Sequence, residues 1–310
     1  MGRRPKVTIV GAGMVGHTTA HWLAAEEIAD LVLVDVIEKM PMGKALDLQQ
    51  AAPIRGTDVT IVGSNGYEET AGSDVAVIIA GIARKPGMTR EQLIDTNSGI
   101  VRGVVEQVVK HSPDAYLVVV TNPLDAMTYL TYKVSGFPRE RVIGESGALD
   151  GTRFRTFIAK EVGVSVEDVH GMVIGAHTDK DMVPLPRFAH VGGVPLSHLL
   201  KADRIEAIVA RTRRGGAEIT ELMGTSAFFA PGAAIAQMVE AIVRDKKRLI
   251  PCSVYLQGEY GERDICIGVP VVLGGRGLER IVELPLNEHE RVSFKASAAA
   301  VREQLGALKL

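Results

Sequence analysis

The chain has 310 residues, of which 46% are hydrophobic and 23% are charged, and its formal net charge at pH 7 is −2. A chain of this length can bury a sizeable core and accommodates two domains. The nearly balanced charge and a pI near 6.5 give no electrostatic footprint for nucleic acid or for an acidic membrane surface.

Cysteine usage and the N-terminal segment bear on the compartment. Cys252 and Cys266 form no spaced pair, so they indicate neither a metal site nor a disulfide framework, and we expect them to fill the core in a reducing compartment. The first apolar run begins at Val7, which leaves no room for the apolar region of a signal peptide. No later apolar run is long enough to span a membrane, and we therefore expect a cytoplasmic protein.

In the first half of the chain, apolar β runs alternate with helical periodicity. The predicted strands cover 7–10, 31–34, 59–62, 75–80 and 115–120, with a weaker sixth at 141–143, and the predicted helices cover 15–25, 42–52 and 90–110. This alternation predicts an α/β fold with a doubly wound parallel Rossmann sheet.

Near residue 145 the pattern changes to a mixed α+β order. Strands are predicted at 169–174, 253–257 and 268–273, and helices at 153–162, 204–222, 233–244 and from Asn287, which Glu290 would help to cap. We predict a Rossmann domain over 1–145 and a substrate domain over 146–310, packed together without a flexible linker.

A glycine motif, Gly11-x-Gly13-x-x-Gly16, follows the first strand and opens the first helix. In a dinucleotide site the first glycine permits the tight turn, the second lets the backbone approach a pyrophosphate, and the third lets the helix pack closely on the strand. The N-terminus of that helix supplies N–H groups and a partial positive charge. The residues expected to bind the cofactor here are Gly11, Ala12, Gly13, Met14, Val15 and Gly16.

An acidic residue, Asp35, ends the second apolar run nineteen positions after Gly16. Its carboxylate would accept hydrogen bonds from the adenosine ribose hydroxyls and would repel a 2′-phosphate. The next residue, Val36, offers no compensating cation, so the motif predicts NAD rather than NADP.

The segments after the fourth and fifth strands carry polar groups at the edge where such sheets bind ligands. Arg84 and Arg90 flank the Pro86-Gly87 turn, which is either a solvated basic loop or a lid that presents guanidinium groups to an anionic substrate. Asn122 precedes Pro123 and is either a turn opener or a group that holds a carbonyl or the nicotinamide ribose.

Two further polar groups lie in the second half. Asp150 and Arg153 are three residues apart, a spacing that predicts an ion pair on one helix face. His177 follows the apolar run 169–174 and is either structural or catalytic.

Taken in order, the motifs resemble those of the lactate/malate dehydrogenase family over nearly the whole chain, most closely the malate dehydrogenases built on the lactate dehydrogenase plan. The segments concerned are GAGMVG, LVDV, ARKPGMTR, TNPLDAMTY, LDGTRFRTF, and GAH with MVPLPRF. The resemblance implies reversible hydride transfer between (S)-malate and NAD. It also implies that His177 donates and accepts the proton, that Asp150 is its carboxylate partner, and that Arg153 anchors a substrate carboxylate.

The resemblance assigns roles to other residues as well. Arg90 would be the lid arginine that polarises the carbonyl, and Arg84 would select the substrate. Asn122 would touch both substrate and cofactor, while Val120 and Asn97 would lie near the cofactor. It further implies a homodimer or homotetramer, for which apolar helical faces such as 233–243 are available.

Arg84 points to malate because a guanidinium expects a second substrate carboxylate. Lactate dehydrogenases usually have an uncharged Gln at this position, and pyruvate would leave the cation closed in without a partner. Lactate dehydrogenase, or another 2-hydroxy-acid dehydrogenase of the family, is the alternative.

The chain departs from the family pattern in two places. The usual His-Gly-Asp is replaced by His177-Thr178-Asp179, with one extra residue before Met182. If that glycine normally takes a positive φ, Thr178 would be strained, so we expect the loop to run differently. Glu145-Ser146 also differs from the Gln/Met-Ala common in this subgroup.

Two other classes share part of the pattern. Tyr129-x-x-x-Lys133 matches the catalytic pair of short-chain dehydrogenases, but the expected upstream Ser is missing and Tyr116 stands there. A non-catalytic NAD sensor would bind NADH without turnover, and such proteins usually carry a DNA-binding segment that the balanced charge does not support.

We predict a preference in kcat/KM of at least about tenfold for NADH over NADPH, because a 2′-phosphate would be desolvated beside the Asp35 carboxylate. Asp35→Ser combined with Val36→Arg should shift the preference toward NADPH. Initial rates with each cofactor, followed by absorbance, test this, and equal efficiency with both would contradict the assignment of Asp35.

Overall fold

The computed structural model describes residues 3–83 and 87–309, and for Arg90 its backbone alone. The first half forms the elements β1 (Lys6–Val10), α1 (Met14–Ala25), β2 (Asp30–Val34), α2 (Met40–Arg55), β3 (Ile61–Ser64), β4 (Val75–Ile78), α3 (Arg90–His111), β5 (Tyr116–Val119), α4 (Leu124–Ser135) and β6 (Val142–Gly144). The strand order is β3-β2-β1-β4-β5-β6, and every neighbouring pair is parallel. This confirms the predicted doubly wound Rossmann sheet.

Continuous apolar strands fit this sheet because helices cover both of its faces. All four residues of β4, Val-Ala-Val-Ile, are buried. The strand order reverses between β1 and β4, so a crevice opens there at the carboxyl ends of the strands. That crevice places the loops after β1, β2, β4 and β5 around one groove.

The second half has the predicted mixed α+β character. Its elements are α5 (Gly147–Val162), β7 (Val169–His170), β8 (Val173–Gly175), β9 (Met182–Pro184), β10 (His190–Val191), β11 (Val194–Pro195), α6 (Leu196–Leu199), α7 (Ala202–Met223), α8 (Phe229–Val243), β12 (Arg248–Gln257), β13 (Arg263–Gly274), β14 (Gly277–Ile281) and α9 (Glu288–Gly306). The predicted cap of the last helix is confirmed, since Asn287 and Glu290 form a reciprocal capping box.

The two halves are joined through one sheet. Strand β12 pairs antiparallel with β6, with Ser253 opposite Gly144, and β13, β8 and β9 continue the sheet beyond it. A Cβ at Gly144 would lie 2.9 Å from the Ser253 Cβ, so the glycine permits this close approach. Residue 145, near which the domain boundary is predicted, lies between β6 and α5, and the boundary itself stays a prediction.

Two sequence-based element assignments were wrong. The run 169–174 is not one strand: β7 pairs with β10 in a separate three-stranded sheet, whereas β8 pairs with β13 in the large sheet. Between them Gly171 packs on Phe154, where a Cβ would lie 2.9 Å from the ring. The helix predicted from Arg153 begins at Gly147, so α5 already includes Asp150.

The apolar face expected to be available at 233–243 is largely used within the chain. Most of α8 is buried, and Gly232 packs so closely on α1 that a Cβ there would lie 2.7 Å from Thr18 Cγ2. In the described part of the chain, no helix has the length and apolar character needed to cross a membrane.

Candidate active site

The glycine motif forms one end of the crevice. Gly11 has φ +105° and packs so tightly on the end of β4 that a Cβ would lie 2.8 Å from Ala80 N, while a Cβ at Gly16 would collide with the Gly11 carbonyl oxygen. Gly13 is different, because among the described residues a Cβ there would meet no atom of another part of the chain within 4 Å. No side chain caps α1, and its first turn has no acidic residue. This helix N-terminus borders the groove, which Gly13, Met14 and Val15 line, and an uncapped N-terminus of this kind is suited to bind an anion.

Asp35 lies beside this groove, immediately after β2. Its Oδ2 accepts a hydrogen bond of 2.8 Å from Ala12 N, and its Oδ1 accepts one of 3.0 Å from Ile37 N. The neighbouring Val36 is 96% exposed. The carboxylate is thus held at the rim of the groove, which is lined by Gly11, Gly13, Met14, Val15 and Asp35 among others.

The loops after β4 and β5 are braced by Asn97. Its side chain is fully buried, accepts a hydrogen bond from Ile82 N at 2.9 Å, and donates to Ile82 O at 3.1 Å and to Asn122 O at 2.7 Å. Because the buried amide is used in these bonds, Asn97 fixes the two loops against each other. Asn122 and Val120, in the second loop, line the adjoining cavity.

This cavity has a volume of about 730 Å³ and contains the polar groups of the second half. His177 and Arg153 lie on its wall together with Asn122 and Glu145. It shares several lining residues, including Val15 and Gly81, with the groove beside the glycine motif. The two spaces therefore form one continuous crevice.

Within the cavity wall, one carboxylate holds both cations. Asp150 Oδ2 is 2.7 Å from His177 Nδ1, and Asp150 Oδ1 accepts a hydrogen bond of 2.9 Å from Arg153 Nη1. The Asp150 side chain is 2% exposed. The predicted ion pair of Asp150 and Arg153 is therefore present, and the same carboxylate also orients the imidazole of His177, so that its Nε2 is the ring atom left for a ligand.

The charge of His177 follows from these contacts. Burial alone would lower the pKa of the imidazole, but the charge and hydrogen bond of Asp150, with a contribution from Glu145, outweigh burial and raise the pKa of His177 to about 9. The imidazole is therefore protonated at neutral pH and can donate a proton to a bound carbonyl oxygen.

The backbone of the loop that carries His177 is also fixed by hydrogen bonds to buried side chains. His177 N donates a hydrogen bond of 2.9 Å to Asp125 Oδ2, Ser253 Oγ donates one of 2.6 Å to Asp125 Oδ1, and Ala176 N donates one of 2.7 Å to Ser297 Oγ. Burial raises the pKa of Asp125 to about 6. Helices α4 and α9 and strand β12 thus fix the backbone at His177.

Family comparison agrees with this arrangement. Residues 5–144 match the family model described as the NAD binding domain of lactate/malate dehydrogenase, and residues 147–309 match the one described as its alpha/beta C-terminal domain. The chain belongs to the lactate/malate dehydrogenase family. The resemblance found in the sequence motifs is thereby confirmed.

Individual relatives include proteins named malate dehydrogenase. One from Desulforudis audaxviator is 56% identical over 99% of this chain and 100% of its own length, and one from Bacillus subtilis is 53% identical over 98% of each. Among solved structures, malate dehydrogenase from Salinibacter ruber superposes with a TM-score of 0.94 at 49% identity, covering 97% of each chain. Lactate dehydrogenase from Cryptosporidium parvum, solved with lactic acid and nicotinamide adenine dinucleotide, gives 0.95 at 39%, covering 99% of this chain and 98% of the other.

The departure from the family pattern after His177 produces no strain at Thr178. The positive φ of this region belongs to Gly175, at +86°. Thr178 Oγ1 donates a hydrogen bond of 2.7 Å to Asp181 Oδ2 and accepts one of 3.0 Å from Asp181 N, while Met182 N donates to Thr178 O at 3.1 Å. The extra residue is accommodated in this closed turn.

The two arginines that are predicted to face the substrate are not among the side chains that the structure describes. Arg84 lies outside the described residues, and Arg90 is described only as the first residue of α3. The capping box formed by Thr89 and Gln92 starts that helix. The substrate roles of both arginines stay predictions.

The pair that suggested a short-chain dehydrogenase lies elsewhere. Tyr129 Oη and Lys133 Nζ donate hydrogen bonds of 2.9 and 3.0 Å to Asp264 Oδ1 on β13, and neither residue lines the crevice. The pair contributes to packing between α4 and the sheet.

Three features of the site had no role assigned from the sequence. Asp125 and Glu145 are charged residues within largely apolar stretches of the sequence. A charged residue in such a stretch is the signal that could have identified them. Gly215 and Gly216 are adjacent glycines in the middle of α7, and Cβ atoms there would lie 2.9 and 3.6 Å from atoms of the Arg153 side chain. They leave the space that this guanidinium group occupies.

We predict that the imidazole of His177 titrates near pH 9 and that Asp150→Asn lowers its pKa substantially, because the smaller contribution of Glu145 is then the main one left to oppose burial. Histidine side-chain NMR over a pH series, assigned with His177→Asn, measures this. His170, on the separate three-stranded sheet, is the internal control and should titrate alike in both proteins. A pKa of His177 that stays near 9 in Asp150→Asn would contradict the assigned cause.

Proposed function

We propose that this protein is an NAD-dependent malate dehydrogenase that interconverts (S)-malate and oxaloacetate. The observation that carries the proposal is the buried Asp150 carboxylate, shared by His177 and Arg153 on the wall of a cavity continuous with the glycine-motif groove. Relatives that are 53–56% identical to this chain are named malate dehydrogenase, which supports the choice of substrate.

The cofactor assignment rests on the groove. Residues 11–16 would hold the pyrophosphate at the N-terminus of α1, and Asp35 would hold the adenosine ribose, which favours NAD over NADP. Val120 and Asn122 would lie beside the nicotinamide, and Asn97 would act by positioning Asn122. When bound, NADH supplies the hydride that reduces the keto carbon.

The chain supplies the proton and the charge. The His177 imidazolium would donate a proton from Nε2 to the carbonyl oxygen during reduction and take it back during oxidation, while Asp150 keeps Nδ1 protonated. The Arg153 guanidinium would bind the carboxylate next to the reacting carbon. Arg90 would stabilise the negative charge that develops on the carbonyl oxygen. Exclusion of water from the occupied cavity would strengthen the electrostatic contributions of His177 and Arg90.

Arg84 would decide between malate and lactate. The overall fold does not discriminate between these two substrates, because lactate and malate dehydrogenases superpose on this chain equally well. A guanidinium at this position would pair with the second carboxylate of oxaloacetate. Lactate dehydrogenase activity remains the alternative, and the Arg84 variant below discriminates between them.

We also propose that the protein is a cytoplasmic homodimer or homotetramer. An apolar surface depression between α1, α2 and α8 is lined by Trp22, Leu48 and Phe229, and the ring of Phe229 is largely exposed. An exposed apolar patch of this kind favours self-association.

For the proton relay, we predict that His177→Asn lowers kcat by about 10²–10⁴-fold, the range for a lost general acid. The affinity for NADH, measured by fluorescence titration, should be retained because the ring acts on the substrate. His198→Asn, an exposed histidine on α6, is the matched control and should retain wild-type kcat. A His177→Asn protein with more than about a tenth of wild-type kcat would rule out the role.

For substrate choice, we predict that Arg84→Gln lowers kcat/KM for oxaloacetate by about 2–4 kcal/mol of transition-state binding, the range for truncating a hydrogen-bonded charge partner. Activity on pyruvate should rise, because no unpaired cation would face the methyl group. The measurement is kcat/KM for both acids at one pH and saturating NADH, with Arg55→Gln on α2 as control. An unchanged ratio between the two acids would refute the malate assignment.

A further inference from the structure

A second carboxyl group, Glu145, lies in the cavity; its charge helps to raise the pKa of His177, but it makes none of the hydrogen bonds that join Asp150, His177 and Arg153. It follows β6 directly and lines the same wall as His177 and Arg153. The residue is only 2% exposed, and its Oε1 has no hydrogen-bond partner in the described part of the chain. A buried carboxyl oxygen without a partner is costly and uncommon.

The backbone holds Glu145 in this position. Its N–H donates a hydrogen bond of 3.0 Å to Val119 O at the end of β5, and its carbonyl accepts one of 3.1 Å from Ala148 N in α5. The next residue, Ser146, has φ +40°, a conformation that is strained in a non-glycine residue. Strain of this kind is retained where contacts on both sides enforce it.

The ionisable groups around Glu145 come from three elements. Asp150 and Arg153 lie on α5, His177 lies on the loop after β8, and the buried Cys252 thiol lies on β12. Burial raises the pKa of Glu145 to about 7, with a further contribution from Asp150, and the cations His177 and Arg153 oppose the rise only in part. Asp125, by contrast, has hydrogen bonds to both of its oxygens.

We propose that Glu145 is a proton-uptake site of the cavity: it must be protonated for a dianionic 2-keto or 2-hydroxy acid to bind, and its ionised form excludes that anion. The identity of the anion rests on the proposed function. An ionised carboxylate with little exposure to water repels a substrate carboxylate, whereas a protonated one donates a hydrogen bond to it. The proton comes from solvent and leaves with the product.

The proposal makes affinity depend on pH in a defined direction. Between pH 6 and 8 the protonated fraction of a group with a pKa of about 7 falls about tenfold, so KM for oxaloacetate should rise about tenfold. Oxaloacetate stays a dianion over this range, since ordinary carboxyl pKa values lie near 4. His177 stays largely protonated, because Asp150, which contributes more than Glu145 to its raised pKa of about 9, keeps its charge when Glu145 is protonated.

The kinetic test compares wild type with Glu145→Gln, which keeps the shape but cannot ionise. With saturating NADH, KM for oxaloacetate in Glu145→Gln should change less than about twofold from pH 6 to 8. Glu279→Gln is the control, because the Glu279 side chain is only 8% exposed and also has an unpartnered Oε1, but it lies on β14, away from the cavity. It should keep the wild-type pH dependence, and a Glu145→Gln protein that keeps it too would overturn the proposal.

A binding measurement tests the same step without turnover. Calorimetry of tartronate, an unreactive dicarboxylate, binding to the NADH complex in two buffers of different ionisation enthalpy counts the protons taken up. Wild type should take up about one proton at pH 8, and Glu145→Gln should take up none. Absence of uptake by wild type overturns the proposal even if the variant does not fold.

Failure of the proposed function and failure of the role of Glu145 give different results. If neither oxaloacetate nor pyruvate is reduced at any pH, the proposed function fails, and proton uptake with tartronate still decides the role of Glu145. If oxaloacetate is reduced with a KM that is flat from pH 6 to 8 in wild type, the role of Glu145 fails and the proposed function stands.

Discussion

The arrangement of the site depends on one buried negative charge, the carboxylate of Asp150. Removing it from water is costly, and that cost is offset only when both of its oxygens are paired. His177 and Arg153 provide the two partners from different elements, so α5 and the loop after β8 must meet in register. The pairing with Asp150 also keeps the imidazole of His177 protonated. The packing of α5 against the loop after β8 and the charge of the proton donor therefore depend on the same contacts.

The surroundings of this carboxylate keep its partners in place. Asp125 and Ser253 hold the backbone of His177 from the sheet side, and the paired glycines of α7 leave space for Arg153. Glu145 is a second carboxyl group in the cavity, and its burial raises its pKa. The cavity thus combines groups with pKa values of about 9 and about 7, so that one is charged and the other half-protonated near neutral pH.

Local patterns in the sequence predicted much of this molecule. The parallel sheet, the glycine motif and the cap at Asn287 depend on residues close in sequence, and their signals are strong. The division of 169–174 between two sheets depends on Phe154 and on partner strands far along the chain, which no local pattern contains. Local patterns also do not reveal the roles of Asp125 and Glu145, because these roles come from burial among residues that are far apart in the sequence. The turn at Thr178 formed without strain because Asp181 was within reach of its hydroxyl group.

The pairing of β6 with β12 has a consequence for how the chain is made. Residue Ser253 leaves the ribosome more than a hundred residues after its partner Gly144. Until then the parallel sheet ends at β6 with unpaired backbone groups on a buried, apolar strand, which is a template for wrong pairing with another chain. Helix α5, which follows β6 directly and packs on β12 in the finished fold, is the first segment available to cover that edge during synthesis.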